Sequence, residues 1–473
     1  MFKHFLNLKS KILNLKFFYF LILLLPQNSL ANTSLIRDAE TEKFLRDLTN
    51  PIFKAADLNS ENIKIYIVND DGINAFVSGG QNVFINTGLI RKFKTPDALI
   101  GVIAHESGHI TAGHLARSSE GEKEAQGAMF LSYLLGVGAA VAGSPDAGMA
   151  LIAGGSQTAQ RIFMKFTRTQ EEAADQHAVA YLDKMRYPAD GLVNLLEFFE
   201  SELVGYKDQL DEYLMSHPIS RKRIDLIKTR TLGKNFSQGK NYQKINQKLQ
   251  PAMNRVLAKL EGFLENPDNL LQKYKNQNDD VANYIKSIAF FRKGKVEEAL
   301  ELLDGVIVIR QTQGNKRNVM LSLSKHDNSG LGFLFELRGE ILFGSGRVED
   351  SIIAYSQALK LLPKEDSTLA KISFSSSILT LKKNDEDLIK LAIKRLEEAK
   401  EIENENPFLF RQLASAYSKI GDEGRSLLAL SELNLLTGDK EKCRKFAKEA
   451  KEELGKSEKM ELLRADDLIE LGK

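Results

Sequence analysis

The chain holds a single cysteine, Cys443, among 473 residues, so no intrachain disulfide can form and thiol chemistry is a poor basis for any activity. Stability must come from packing, and the length is enough for two or three cores. An excess of either charge is also missing. The 65 Lys and Arg set against 63 Asp and Glu leave a formal net charge of +2. With both signs interspersed there is no basic stripe, hence no reason to propose nucleic acid, and peptide or protein is the better substrate class. The N-terminal apolar run, Phe17 to Leu25, is short for a bilayer span. Histidine is scarce, with seven residues, yet two of them stand four apart.

Lys3, Lys9, Lys11 and Lys16, the run Phe17 to Leu25, and Ser29-Leu30-Ala31 before Asn32 make the three parts of a secretory signal peptide. The mature chain then starts at Asn32 and is exported to an envelope compartment, with an uncleaved anchor as the alternative. The expected division is 1–31 signal peptide, 32–231 a domain of mixed strand and helix, 232–280 a polar linker with connecting helices, and 281–473 a helical repeat array.

In the first domain Ile63 to Val68 and Asn82 to Asn86 read as strands. The turn-rich stretch between them, with Gly79-Gly80, is expected to return the chain as a hairpin and leave one strand near the next helix, where an edge could add an extended substrate. That helix begins with Thr95 as N-cap, Pro96 and Asp97, and is expected to run through His109 towards Arg117. Residues 125–160 are apolar and rich in Gly and Ala. They read as a helical hairpin flanking a cleft, with membrane contact or a short span as the other readings.

In the last part Gly339, Leu342, Gly346, Ser351, Tyr355, Ala358 and Pro363 fall at the spacings of the 34-residue tetratricopeptide pattern. Ala289, Phe290, Gly294 and Ala299, then Ala414, Tyr417 and Gly421, repeat it. Gly438, Cys443, Ala447 and Ala450 continue the series, so Cys443 is expected in a packed interior. Lys316 to Gly330, with His326, interrupts the period as an inserted loop. Such arrays bind proteins.

His105-Glu106-Ser107-Gly108-His109 carries the chemistry. On a helix, positions i and i+4 share a face, so both imidazoles can grip one Zn²⁺. Glu106, about 100° further round, can take a proton from water activated there and hand it to a leaving amine. A third ligand is needed. His114, nine residues from His105, would lie about 180° away on a continuous helix, so the ligand must come from elsewhere. Glu171, with Asp175 four residues on, is the best supply. Glu171 can ligate, and Asp175 can fix a ligand imidazole through its free N–H. Glu172 and His177 are the competing ligands. Ala174 and Ala178 would let this helix pack closely against the first.

These residues, together with Asn74-Ala75-Phe76, Gly79-Gly80, Asn86-Thr87-Gly88-Leu89-Ile90 and Ser216-His217-Pro218, resemble the gluzincin metallopeptidases of the HtpX and BepA type. The order of parts is similar to the periplasmic members that carry a repeat array. The resemblance implies an α+β zinc metallopeptidase domain, mostly helical with a small sheet, followed by an all-α tetratricopeptide-repeat solenoid. It implies one Zn²⁺ per chain on His105, His109 and Glu171, with Glu106 as general base, and quality control of envelope proteins and outer-membrane protein assembly. His217 matches a family position near the metal, where it can stabilise an oxyanion or latch the zinc; a capping or packed role before a helix near Ser220 is the other reading. A chaperone or assembly adaptor acting through the array is the rival function.

Overall fold

A computed structural model of the chain describes residues 34–114, 117, 123, 126, 129–132, 135, 145–205, 217–313, 329–383 and 385–473. The expected signal peptide, Asn32, Ser216, most of the Gly-rich stretch before Pro145, and 316–328 with His326 lie outside the described residues. Gly330, expected in the inserted loop, instead opens a helix with Ser329. The described residues form two compact units, Leu45–Met253, and residues up to Phe44 together with Asn254–Lys473.

In the first of these, β-branched residues build β1 (Ile65–Val68), followed by β2 (Ala75–Ser78) and β3 (Asn82–Asn86). Strand β1 pairs parallel with β3, with Ile65 opposite Val83 and Val68 opposite Asn86, and β2 pairs antiparallel with β3. The expected hairpin is therefore not between β1 and β3. Ala75 to Ser78, expected as turn, is itself a strand, and two reversals of direction leave β1 and β3 parallel. Tyr66, Phe84 and Phe76 stack across the three strands, with ring centroids 4.9 and 5.0 Å apart. The edge strand β2 packs against a helix three elements on.

After α1 (Thr87–Lys92) comes that helix, α2 (Pro96–Thr111), with Thr95 extended before it and Pro96 in its first turn. It ends six residues short of Arg117. Leu99, Ile100, Val102 and Ile103 are buried, and α2 packs on α3 (Pro145–Met185) and α4 (Asp190–Gly205). Helix α3 is one continuous rod of 41 residues, so the second arm of the apolar stretch and the segment with Glu171 are one element. Helix α5 (Arg221–Thr231) packs on α3 and α4, and its N-cap Ser220 accepts from the Arg223 N–H.

The other unit is helix after helix, from the end of α6 (Lys240–Leu264) to the helix Lys459–Leu471, as a repeat array requires. Helices α8 (Asp280–Arg292) and α9 (Val296–Gln313) pack on each other, as do α10 (Ser329–Gly344) and α11 (Val348–Leu361). At Gly339 the Tyr355 ring stands where a Cβ would be, 2.7 Å from it, which accounts for the small residue opposite the aromatic. Hydroxyls tie neighbouring helices: Ser287 donates to Ala299 O at 2.7 Å and Ser426 to Ala414 O at 2.9 Å. Cys443 is buried, with Ser431 Oγ 3.4 Å from its sulfur, in keeping with a packing role.

Residues 37–43 enter this unit through ion pairs, Asp38 with Lys259, Glu40 with Arg255 at 2.6 Å, and Arg37 with Glu403 at 2.6 Å. Beside them burial pushes Glu340 up to about 7 and raises Glu336 as well, against the pull of Lys259. An acid whose folded-state pKa exceeds its unfolded value binds more protons when folded. The unit is therefore expected to gain stability as pH falls from about 7 towards 4.5, and to lose it as pH rises through that window. Glu340→Gln should remove part of this dependence and add roughly 1–3 kcal/mol at pH 8. Amide hydrogen exchange in α10, corrected for intrinsic rate, measures it; equal protection in wild type at pH 5.5 and pH 8 would refute the expectation.

Candidate metal centre

Helix α2 supplies His105, Glu106 and His109, while α3 supplies Glu171 and Asp175. The two helices meet at Gly108, where an added Cβ would stand 2.7 Å from the Ala174 carbonyl oxygen and 2.9 Å from its Cα. Only a residue without a side chain allows this approach, and Ala174 and Ala178 are fully buried in the contact.

The approach gathers three donors. Nε2 of His105 and Nε2 of His109 are 3.1 Å apart. Glu171 places Oε2 3.3 Å from the first and Oε1 3.3 Å from the second. Donors held tetrahedrally at the usual zinc–ligand distances sit about 3.3 Å from one another, so the triangle has the dimensions of a zinc site, and two imidazoles with one carboxylate suit that ion. His217 joins them, all four residues offering donor atoms within 4.8 Å of one another. Its Nδ1 is 3.2 Å from each Glu171 oxygen, and its Nε2 is 3.6 Å from Glu106 Oε1. That Glu106 oxygen is buried and has no hydrogen-bond partner among the described residues. An unsatisfied buried carboxylate oxygen beside a donor set is where a water or a substrate proton fits.

Behind the donors lies a second ring of charge. Asp175 Oδ1 is 2.9 Å from His105 Nδ1, and Arg223 donates to both Asp175 oxygens, from Nε at 2.7 Å and Nη2 at 2.9 Å. Arg223 Nη1 lies 2.9 Å from Glu171 Oε2 and donates to Pro218 O at 2.9 Å. One guanidinium thus ties Glu171, the Asp175 carboxylate behind His105, and the loop after His217. Burial opposes charge on all of these groups. For His105 the contacts with Asp175 and Glu171 outweigh it and raise the pKa to about 10. Glu171 is held well below the carboxylate range by His217 and the two other imidazoles, and Asp175 is lowered by Arg223 and His105. His109 is lowered chiefly by burial.

Of the competing ligands, Glu172 points away and pairs with Lys222 at 2.7 Å, while His177 Nδ1 lies 3.3 Å from the Tyr181 hydroxyl. Neither reaches the donor set. His114 is not on the far side of a continuous helix. Helix α2 stops at Thr111, Gly113 takes φ +66°, and the chain folds back so that His114 Nδ1 lies 2.9 Å from His109 Nδ1. Burial, then the neighbouring His109, pushes His114 down to about 4. Arg223 was not singled out by sequence reasoning. Its signal was there: Arg221-Lys222-Arg223 directly after N-cap Ser220 puts three cations at the positive end of a helix dipole, which calls for carboxylates elsewhere.

Two imidazoles and a glutamate converging from two helices, with a buried second glutamate beside the first imidazole, define a zinc metallopeptidase of the His-Glu-x-x-His class. Residues 39–231 match Peptidase family M48, and this segment is similar to the metallopeptidase domains of that family. The chain is 28% identical over 291 residues to the "Beta-barrel assembly-enhancing protease" of Yersinia pestis, covering 60% of this chain and 58% of that protein. It is 27% identical over 190 residues to the protein of the same name in Escherichia coli (strain K12), covering 40% and 39%. The matched part is thus less than two thirds of either relative. No helix among the described residues is long and apolar enough to cross a membrane.

Proposed function

We propose that this chain is a zinc-dependent endopeptidase exported to the periplasm, where it cleaves misfolded or stalled envelope and outer-membrane proteins that its tetratricopeptide array recruits. The donor triangle of His105, His109 and Glu171, with the buried Glu106 carboxylate beside it, is the observation that carries this reading. The names of the relatives support the envelope setting and a link to β-barrel assembly machinery. Exposed Phe130, Leu131 and Met149 support peripheral membrane contact.

Zinc held by those three residues would supply a Lewis acid for the scissile carbonyl and make water a better nucleophile at neutral pH. Glu106 accepts the proton of the attacking water and delivers it to the departing nitrogen. Its burial favours this, because no bulk water competes for Oε1. Asp175 holds the His105 ring so that Nε2 faces inward, and Arg223 holds Asp175. The β2 edge beside α2 offers backbone groups to an extended polypeptide.

His217 adds a fourth donor where a catalytic site needs an opening. It acts as a latch in this arrangement. His217→Ala is therefore expected to raise cleavage of an unfolded polypeptide several-fold, with cleavage still stopped by a zinc chelator and restored by zinc. A fall in turnover at unchanged zinc content would instead assign His217 to stabilising the oxyanion, and chelator-insensitive cleavage would refute the metallopeptidase reading.

A further inference from the structure

The two ligand imidazoles are supported differently. Behind His105 stands a carboxylate, Asp175, itself clamped by Arg223. Behind His109 stands another imidazole. His114 Nδ1 is 2.9 Å from His109 Nδ1, the ring centroids are 4.9 Å apart, and the planes are tilted by 72°. Two ring nitrogens at that distance share one proton, with one ring donating and the other accepting. The contact is built by the chain and not by accident of a surface rotamer, since His114 is buried. The left-handed Gly113 that ends α2 directs it there, and Thr111, the last residue of the helix, is held by its hydroxyl 2.6 Å from that of Tyr181 on α3.

We infer that His114 is the positioning residue of His109: its Nδ1 accepts the Nδ1 proton of His109, which fixes the tautomer whose Nε2 lone pair faces the metal. This rests on the reading of His109 as a metal ligand. A ligand imidazole that coordinates through Nε2 carries its proton on Nδ1, so the partner behind it must be an acceptor, and His114 then keeps its own proton on Nε2. A neutral imidazole accepts more weakly than a carboxylate. His114 touches neither substrate nor metal.

The test is zinc affinity by chelator competition on the full chain, with thermal unfolding of the zinc-free protein as a second readout. His114→Ala should weaken zinc binding about 10- to 100-fold and leave zinc-free unfolding close to wild type. His114→Asn, whose amide oxygen can accept near the same place, should recover most of the affinity. Unchanged affinity in His114→Ala, or equal loss in the Asn and Ala variants, would overturn the proposal. His109→Ala separates the premise: if it binds zinc as wild type does, His109 is not a ligand, whereas a large loss there with no loss in His114→Ala refutes the positioning role alone.

Discussion

Glu106→Gln is expected to lower turnover of an unfolded polypeptide about 10³-fold while the protein still binds one zinc. The side chain is nearly isosteric, so the packing around a residue only 1% exposed is kept. What is lost is the capacity to take and return a proton. Glu106 is not part of the donor triangle, whose edges are made by His105, His109 and Glu171, so zinc content should not change. The substitution also replaces an unsatisfied buried carboxylate oxygen by a neutral amide, which is cheaper to bury. Thermal stability should therefore hold or rise. This combination separates catalysis from folding: loss of cleavage with loss of zinc would point to a damaged site, and cleavage at the wild-type rate would sink the assignment of Glu106 as general base. A Glu106→Gln protein that still rescued an assembly defect in cells would favour the adaptor function.

Gly108→Ala is expected to weaken zinc binding and turnover by about 100-fold and to cost roughly 1–3 kcal/mol of stability. One methyl group is enough. It would stand 2.7 Å from a backbone oxygen and 2.9 Å from the Cα of Ala174, and backbone atoms cannot swing aside as a side chain does. The helices α2 and α3 must part, and they carry His105 and His109 on one side and Glu171 and Asp175 on the other. Gly154→Ala on α3 is the control, because no atom of the described residues lies within 4 Å of a Cβ there. It should be neutral or slightly stabilising, through the helix preference of Ala over Gly. Measured together by chelator competition and calorimetry, a mild Gly108→Ala variant would show that the site tolerates separation of the two helices.

Much of the site was legible because its parts are local. The four-residue spacing of His105 and His109 is a property of any α-helix, and so is that of Glu171 and Asp175. The small residues Ala174 and Ala178 already signalled a close helix contact, although only the fold pairs Ala174 with Gly108. Pro96 after Thr95 marked the start of α2 in the same way. The strands Ile65–Val68 and Asn82–Asn86 followed from β-branched composition and alternation.

What the chain could not tell by spacing is how separate segments meet. Whether Glu171 or Glu172 faces the imidazoles depends on the rotation of α3 about its axis, which is set by the Gly108 contact. The parallel pairing of β1 with β3 required a third strand from a segment that reads as turn. His114 was placed by an angular argument that holds only while a helix continues, and one left-handed glycine ended it. Arg223, 48 residues from Asp175 and 52 from Glu171, is tied to both by contacts no local pattern encodes. Periodicity is a short-range consequence of backbone geometry, so the sequence alone determined which residues share a face and which chemistry that face can carry. The second ring of charge, the choice of carboxylate and the partner of His105 were decided by long-range packing, where a burial penalty on charge is met only by groups the fold brings together.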